Sequence, residues 1–164
     1  MTRLHSYETV VTWTGDRGTG TSGYREYGRD HTVTADGPAP LAGSADPTFR
    51  GDPDRWNPEQ LLLAALAQCH MLSYLALCAR HGVVVTGYVD RAQGTMATQG
   101  TGGRFTSAVL RPVVRVASAA MVEKATALHR DAHAGCFIAS SVNFPVEHEP
   151  TVTADDRAGT PVPD

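Results

Sequence analysis

The sequence predicts an α+β domain with antiparallel strand pairing. The segment from Leu61 to Ala79 is long and apolar, as expected of a core helix. Alternating or β-branched runs flank it on both sides and are typical of strands. The predicted order is two strands, a long buried helix, two strands, a second helix and a final strand. Grouped strands of this kind favour antiparallel sheets over an alternating parallel fold.

The first part of the chain contains two predicted strands. Tyr7–Thr14 alternates and is β-branched, and Tyr24–Thr34 resumes strand character after a glycine-rich turn. Residues 35–56 contain four prolines and are predicted to be a loop.

The long helix has clear start and stop signals. Asn57 is a good N-cap, Pro58 suits the first helical position, and Glu59 favours the positive end of the helix dipole. The helix is expected to end near Arg80, because Gly82 is a natural stop.

The rest of the chain is predicted to contain two strands, a second helix, a short helical turn and a last strand. Val83–Thr98 and Arg104–Ser118 are predicted strands around a glycine-rich hairpin turn. Ala119–Ala134 has apolar residues at helical spacing, Cys136–Asn143 is predicted to be a short helical turn, and Phe144–Val152 a last strand. The domain would therefore span residues 1–152, with a disordered tail over 153–164.

Composition narrows the class of protein. A chain of 164 residues with 41% hydrophobic residues fits one domain with its own core. The net charge of −3 gives no basic footprint for nucleic acid. Gln68, His70 and Ser73 interrupt the apolar segment, which favours a core helix over a membrane span. Three cysteines and no visible secretion signal predict a cytoplasmic thiol protein.

Cys69 is the first candidate functional residue. It lies in the middle of the apolar helix, where a lone cysteine usually serves packing and has a raised pKa. Cys78 is interpreted as such a structural cysteine. The loop before the helix supplies Arg50 and Arg55, and an arginine aimed at Cys69 would favour the reactive thiolate.

Glu59 would be the carboxylate that holds such an arginine. However, Glu59 and Cys69 are roughly 15 Å apart along a straight helix, from ten residues at its standard rise. If both belong to one site, either an arginine spans the gap or Glu59 comes from a second subunit. Cys136 is the second candidate thiol, because peroxide attack on one cysteine gives a sulfenic acid that another cysteine can resolve.

The motif Asn57-Pro-Glu-Gln-Leu, with Cys69 ten residues after the glutamate, resembles the OsmC/Ohr family. The likeness continues to Ala134-Gly-Cys136 and covers about residues 5–150. It implies an intertwined homodimer that reduces organic hydroperoxides without a cofactor, with the active sites at the dimer interface. The reaction also requires a dithiol reductant that restores the thiols, and the net charge of −3 predicts no nucleic acid or membrane partner.

The resemblance assigns roles to three residues. Cys69 is similar to the peroxidatic cysteine, Cys136 to the resolving cysteine and Glu59 to the carboxylate. Two positions depart from the family pattern: Phe137 replaces a common proline, and His70 replaces a common aromatic residue. These changes are similar to those of a divergent OsmC-like branch.

The resemblance leaves three candidates for the activating arginine. Arg50 lies where the OsmC branch places it and is preferred. Arg17 and Arg25 lie in the first strand connection, which supplies the arginine in the Ohr branch.

Two alternatives to a peroxidase are open. The first is a non-enzymatic module that binds a small apolar ligand in the dimer cleft. The second is a Cys/His metal site, because His129, His133 and Cys136 have helical ligand spacing and Cys69-His70 could complete the set.

Overall fold

A computed structural model describes residues 3–155 of the chain. The chain divides into two compact units, Met1–Leu62 and Leu63–Asp164. The fold is α+β, as predicted, with two helices and three small sheets in the part of the chain that is described.

The first unit contains an antiparallel sheet of three short strands. These are β1 (Val10–Trp13), β2 (His31–Thr34) and β3 (Leu41–Gly43), and β2 is the middle strand. Strand β3 and a 3-10 turn at Pro47–Phe49 lie within the segment predicted to be loop, so that prediction was wrong there.

The predicted strand Tyr24–Thr34 was too long, because β2 begins only at His31 and residues 24–27 form a turn. The Arg29 guanidinium lies over the rings of Tyr24 and Tyr27, 4.4 and 4.1 Å from their centres. It also donates hydrogen bonds to the backbone carbonyls of both tyrosines. These local contacts hold the backbone in a turn where its side chains alone indicated a strand.

Helix α1 (Pro58–Arg80) confirms the predicted start and stop. The Asn57 side chain accepts a hydrogen bond from the Gln60 amide at 2.8 Å, and the Gln60 side chain accepts one from the Asn57 amide at 3.2 Å. This reciprocal pair is a capping box. Gly82 follows the helix with φ = 71°, a conformation that glycine adopts without strain.

The second unit combines most of α1 with helix α2 (Val122–Ala134) and two three-stranded sheets. The sheets have the orders β4-β7-β9 and β5-β6-β8. Their strands are β4 (Val85–Asp90), β5 (Gln93–Gln99), β6 (Gly102–Leu110), β7 (Pro112–Val116), β8 (Val146–His148) and β9 (Thr151–Ala154).

The two long strands predicted after α1 are each divided in two. The predicted hairpin between β5 and β6 is confirmed. However, the first predicted strand is interrupted near Asp90 and the second near Arg111, and the two parts of each strand belong to different sheets. The Asp90 carboxylate accepts a hydrogen bond from the Arg111 backbone amide at 2.8 Å, and this bond holds the two interruptions together. The predicted last strand is also two strands, and each pairs parallel with its neighbour, a departure from wholly antiparallel pairing.

Strand β9 continues to Ala154, two residues beyond the predicted end of the domain. Its end is held by the Asp155 amide, which donates to the Val116 carbonyl at 2.8 Å. The rest of the predicted tail, residues 156–164, lies outside the described residues.

Helix α1 buries one stripe rather than all of its surface. Its buried residues recur every four positions: Leu66, His70, Tyr74 and Cys78. The helix is long and apolar enough to cross a membrane by composition, yet only 22% of its most apolar window is buried within the chain. The expectation of a buried core helix therefore holds for one face of α1 within a single chain.

Candidate redox site

The structure brings Cys69 and Cys136 together. Cys69 lies in the middle of α1 and is partly buried. Cys136 lies just beyond the end of α2, where its backbone amide donates to the His133 carbonyl at 3.1 Å. The Cys69 thiol lies close enough to Cys136 to raise the pKa of its thiol, and this proximity unites the two predicted cysteines of the site.

The surroundings of the two thiols differ. Cys136 is 1% exposed, and its burial raises the pKa of its thiol to about 11. The neighbouring Cys69 thiol also raises this pKa, whereas the Ala139 backbone amide, which donates to the Cys136 sulfur at 3.4 Å, lowers it. Cys136 is thus a protonated, sheltered thiol near neutral pH, and Cys69 is the more accessible of the two.

Cys78 stands apart from this pair. It is 1% exposed and belongs to the core cluster formed with Tyr74, Val114 and Leu128. Burial raises the pKa of its thiol. This environment agrees with the structural role expected from the sequence.

Glu59 lies in the first turn of α1, in the first compact unit. Its Oε2 atom is buried and has no hydrogen-bond partner among residues 3–155. A buried carboxylate oxygen without a partner is costly, so this atom marks a place where another group is expected to bind.

The candidate arginines all lie in the first unit as exposed residues. Arg50 ends the 3-10 turn with φ = 69°, and its backbone amide donates to the Pro47 carbonyl at 2.9 Å. Arg17 and Arg25 lie in the connection between β1 and β2. Arg55 differs because it pairs with the carboxylates of Asp30 and Asp52, at 3.6 and 3.5 Å. The identity of the activating arginine stays a prediction.

A cluster of histidines lies between the elements that carry the thiols. His70 on α1 and His129 on α2 are 0% and 1% exposed, and His70 Nε2 lies 3.0 Å from His129 Nδ1. The ring planes differ by 9° and the ring centres are 5.3 Å apart. That separation is the N···N distance plus one ring radius at each end, so the imidazoles meet edge to edge in one plane.

Two further histidines adjoin this pair. His148, at the end of β8, lies 5.6 Å from His70 between ring centres, and His133 lies 5.1 Å from His148. Burial, followed by repulsion from His148 and His133, lowers the pKa of His70 to about 4. Burial and repulsion from His70 and His148 lower the pKa of His129 to about 3. Both buried rings are therefore neutral near pH 7.

The alternative Cys/His metal site has no assembled ligand set. Among the described residues, no three His, Cys, Asp or Glu side chains are arranged to hold a metal ion. Two of the nitrogens that such a site would use, His70 Nε2 and His129 Nδ1, are bonded to each other.

The sequence reasoning missed the pairing of His70 with His129. A signal was present, because His129 and His133 are one helical turn apart and His70 departs from the residue common in the family. Nothing in the sequence showed that α1 and α2 bring these rings into contact.

Comparison with known proteins agrees with the fold. Residues 51–151 match the protein family described as OsmC-like protein. An OsmC-like protein of unknown function from Vibrio cholerae has 31% sequence identity and a TM-score of 0.80, over 90% of this chain and 100% of that one. No curated protein matches.

Two more distant solved structures share the fold. An organic hydroperoxide resistance protein from Elizabethkingia anophelis has 18% identity and a TM-score of 0.65, covering 94% of this chain and 100% of that one. One from Legionella pneumophila has 17% identity and a TM-score of 0.64, covering 93% and 99%. The family match over most of the chain and the similarity to the Vibrio cholerae protein establish that this chain belongs to the OsmC-like protein family.

Proposed function

We propose that the protein is a thiol-dependent peroxidase that reduces organic hydroperoxides through Cys69 and Cys136. The observation that carries this proposal is the proximity of the two thiols. Two free cysteines on different elements, close enough to bond, are the parts that a two-cysteine peroxidase needs. Solved structures of the same fold include proteins called organic hydroperoxide resistance proteins.

Cys69 is the attacking thiol in this proposal and Cys136 the resolving one. The thiolate is the nucleophile, and attack also requires access. Cys136 meets neither requirement in the resting protein, because it is buried and its pKa is raised. Cys69 is partly exposed, so peroxide reaches its sulfur first.

The proposed reaction needs only these two residues and one external reductant. The Cys69 thiolate attacks the distal oxygen of the hydroperoxide, the O–O bond breaks, and the alkoxide takes a proton and leaves as an alcohol. Cys69 is now a sulfenic acid. The Cys136 sulfur attacks it, water leaves, and a disulfide forms. An external dithiol then reduces this disulfide by exchange and is itself oxidised.

Apolar surroundings favour an organic peroxide over hydrogen peroxide. Ile138 and Ala139, which follow Cys136, pack on a buried cluster of Leu66, Ala108 and Leu110. Phe137, directly beside Cys136, is 84% exposed and offers an apolar surface for a substrate or a partner chain.

The proposed active form is a homodimer. Only 22% of the most apolar window of α1 is buried within one chain, and Leu72 on that helix is 62% exposed. The buried Glu59 Oε2 atom likewise lacks a partner among the described residues. A second copy would bury the apolar face and supply the missing cation, for which Arg50 is the preferred candidate and Arg17 and Arg25 the alternatives.

Peroxide titration of the reduced protein tests the function. Cumene hydroperoxide should consume two thiols per chain and release one cumyl alcohol, faster than hydrogen peroxide does at the same concentration. Cys69→Ser should abolish the reaction, and Cys78→Ala, the matched control, should leave it intact. Thiols that stay unreactive toward every hydroperoxide, together with a bound apolar ligand, would instead identify the protein as a ligand-binding module.

A further inference from the structure

We propose that the hydrogen bond between His70 and His129 positions the two thiols and thereby sets the rate at which Cys136 resolves oxidised Cys69. This inference rests on the proposed roles of the two cysteines. His70 directly follows Cys69 on α1. His129 is on α2, seven residues before Cys136, which follows the end of that helix. The bond thus joins the two elements that carry the thiols.

The geometry makes this contact directional. The two imidazoles meet edge to edge at 3.0 Å, so one ring must donate its N–H and the other must accept it. The His129 ring also lies flat against Tyr74, with ring centres 3.8 Å apart and planes 11° apart. Tyr74 is one turn beyond His70 on α1. The edge and the face of His129 are therefore both held by α1, which fixes its rotation and its height along the helix.

Burial makes the bond costly to lose. The side chains of His70 and His129 are almost wholly buried. Tyr74 and His148 pack against these two rings, His133 packs against His148, and none of these three side chains is a carboxylate. A buried polar nitrogen left without its partner destabilises the arrangement that created it.

Resolution is the step that depends on this arrangement. Attack by Cys69 on a small reagent needs only that sulfur. Resolution needs the sulfur of Cys136 to approach Cys69 in line, so it depends on how α1 and the end of α2 are held. A positioning contact should therefore affect the second step and leave the first unchanged.

An aromatic disulfide reagent separates the two steps without peroxide. Cys69 attacks the reagent and releases one coloured thiolate, and Cys136 then displaces a second as the intramolecular disulfide forms. The experiment uses the full chain with Cys78→Ala, so that only the two site thiols are counted. A failure of the peroxidase proposal leaves this assay unaffected, because no peroxide is present.

Two substitutions at His70 distinguish the bond from the shape of the ring. His70→Leu removes both nitrogens, and the second release should slow about tenfold, the effect expected of a lost buried hydrogen bond. His70→Gln places an amide nitrogen near the position of Nε2, and this variant should recover most of the rate. His81→Gln, at an exposed histidine after α1, is the control and should match the parent.

Direct detection of the bond completes the test. In protein with isotope-labelled imidazoles, nuclear magnetic resonance should show a scalar coupling between His70 Nε2 and His129 Nδ1. The proposal is overturned if that coupling is absent, if His70→Leu resolves as fast as the parent, or if His70→Gln is as slow as His70→Leu. If His70→Leu fails to fold, the scalar coupling and the rate of the second release in His70→Gln still test the proposal.

Discussion

The thiols of Cys136 and Cys69 lie close together although Cys136 follows the end of α2 and Cys69 is in the middle of α1. Their surroundings differ, because Cys136 is buried, with a pKa raised to about 11, and Cys69 is partly exposed. This difference gives the proposed reaction its order, because an accessible sulfur reacts first and a sheltered one second.

The first prediction distinguishes the roles of the two thiols by the sulfenic acid that accumulates when one of them is removed. In Cys136→Ser, peroxide should still oxidise Cys69, but the sulfenic acid has no thiol partner in reach. A dimedone adduct on Cys69 should therefore build up, and the variant should turn over once instead of repeatedly. Mass spectrometry of the trapped protein checks this, with Cys69→Ser as the control that gives no adduct. An adduct on Cys136 in Cys69→Ser would reverse the assigned roles.

The second prediction concerns the pH dependence of stability. The folded state lowers the pKa of His70 from 6.5 to about 4, so between these pH values the unfolded state binds more protons. The contribution of His70 is thus complete above about pH 6.5 and is lost as the pH falls toward 4. One pKa unit corresponds to 1.36 kcal/mol, which gives a loss of about 3 kcal/mol.

Urea unfolding at a series of pH values measures this loss. His70→Gln does not titrate, so its free energy of unfolding should fall less steeply than that of the parent between pH 6.5 and 4. Parallel curves for the two proteins would show that His70 carries no such linkage.

The third prediction concerns the uncovered face of α1. Leu72→Glu places a charge at a position that is 62% exposed in one chain and buried in the proposed dimer. A buried, unpaired carboxylate is costly, so the variant should sediment as a monomer while the parent sediments as a dimer without detergent. Thr126→Glu, at an exposed position of α2, is the control and should stay dimeric. A parent that is monomeric at micromolar concentration would contradict the dimer.

The fourth prediction concerns the start of the helix that carries Cys69. Asn57→Ala removes the side-chain acceptor of the Gln60 amide and should cost about 1 kcal/mol in the free energy of unfolding. Asn57→Asp keeps an acceptor and should cost much less. Denaturant unfolding of both variants tests this; equal losses would show that the cap contributes little.

The sequence predicted the elements whose signals are local. The bounds of α1 followed from Asn57, Pro58 and Gly82, because a cap, a first-turn proline and a terminating glycine act within a few residues. The β5–β6 hairpin followed from its glycine-rich turn for the same reason.

Long-range pairings lay beyond the reach of local patterns. No sequence signal near Asp90 or Arg111 indicates that the strands before and after these residues belong to different sheets. The turn at Tyr24–Arg29 was mistaken for a strand, because the local contact of Arg29 with Tyr24 and Tyr27 leaves no signature in the pattern of polar and apolar residues. For the site, the family resemblance supplied the pairing of Cys69 with Cys136, whereas the contact of His70 with His129 required the packing of two helices.

The most direct test of the two-cysteine mechanism is to identify the disulfide that forms when the reduced protein reacts with an organic hydroperoxide. After cumene hydroperoxide treatment and alkylation, peptide mass spectrometry should find Cys69 joined to Cys136 within one chain and Cys78 alkylated as a free thiol. If Cys69 and Cys136 stay separate, or if Cys69 is joined to any other thiol in their place, the proposed two-cysteine mechanism is contradicted.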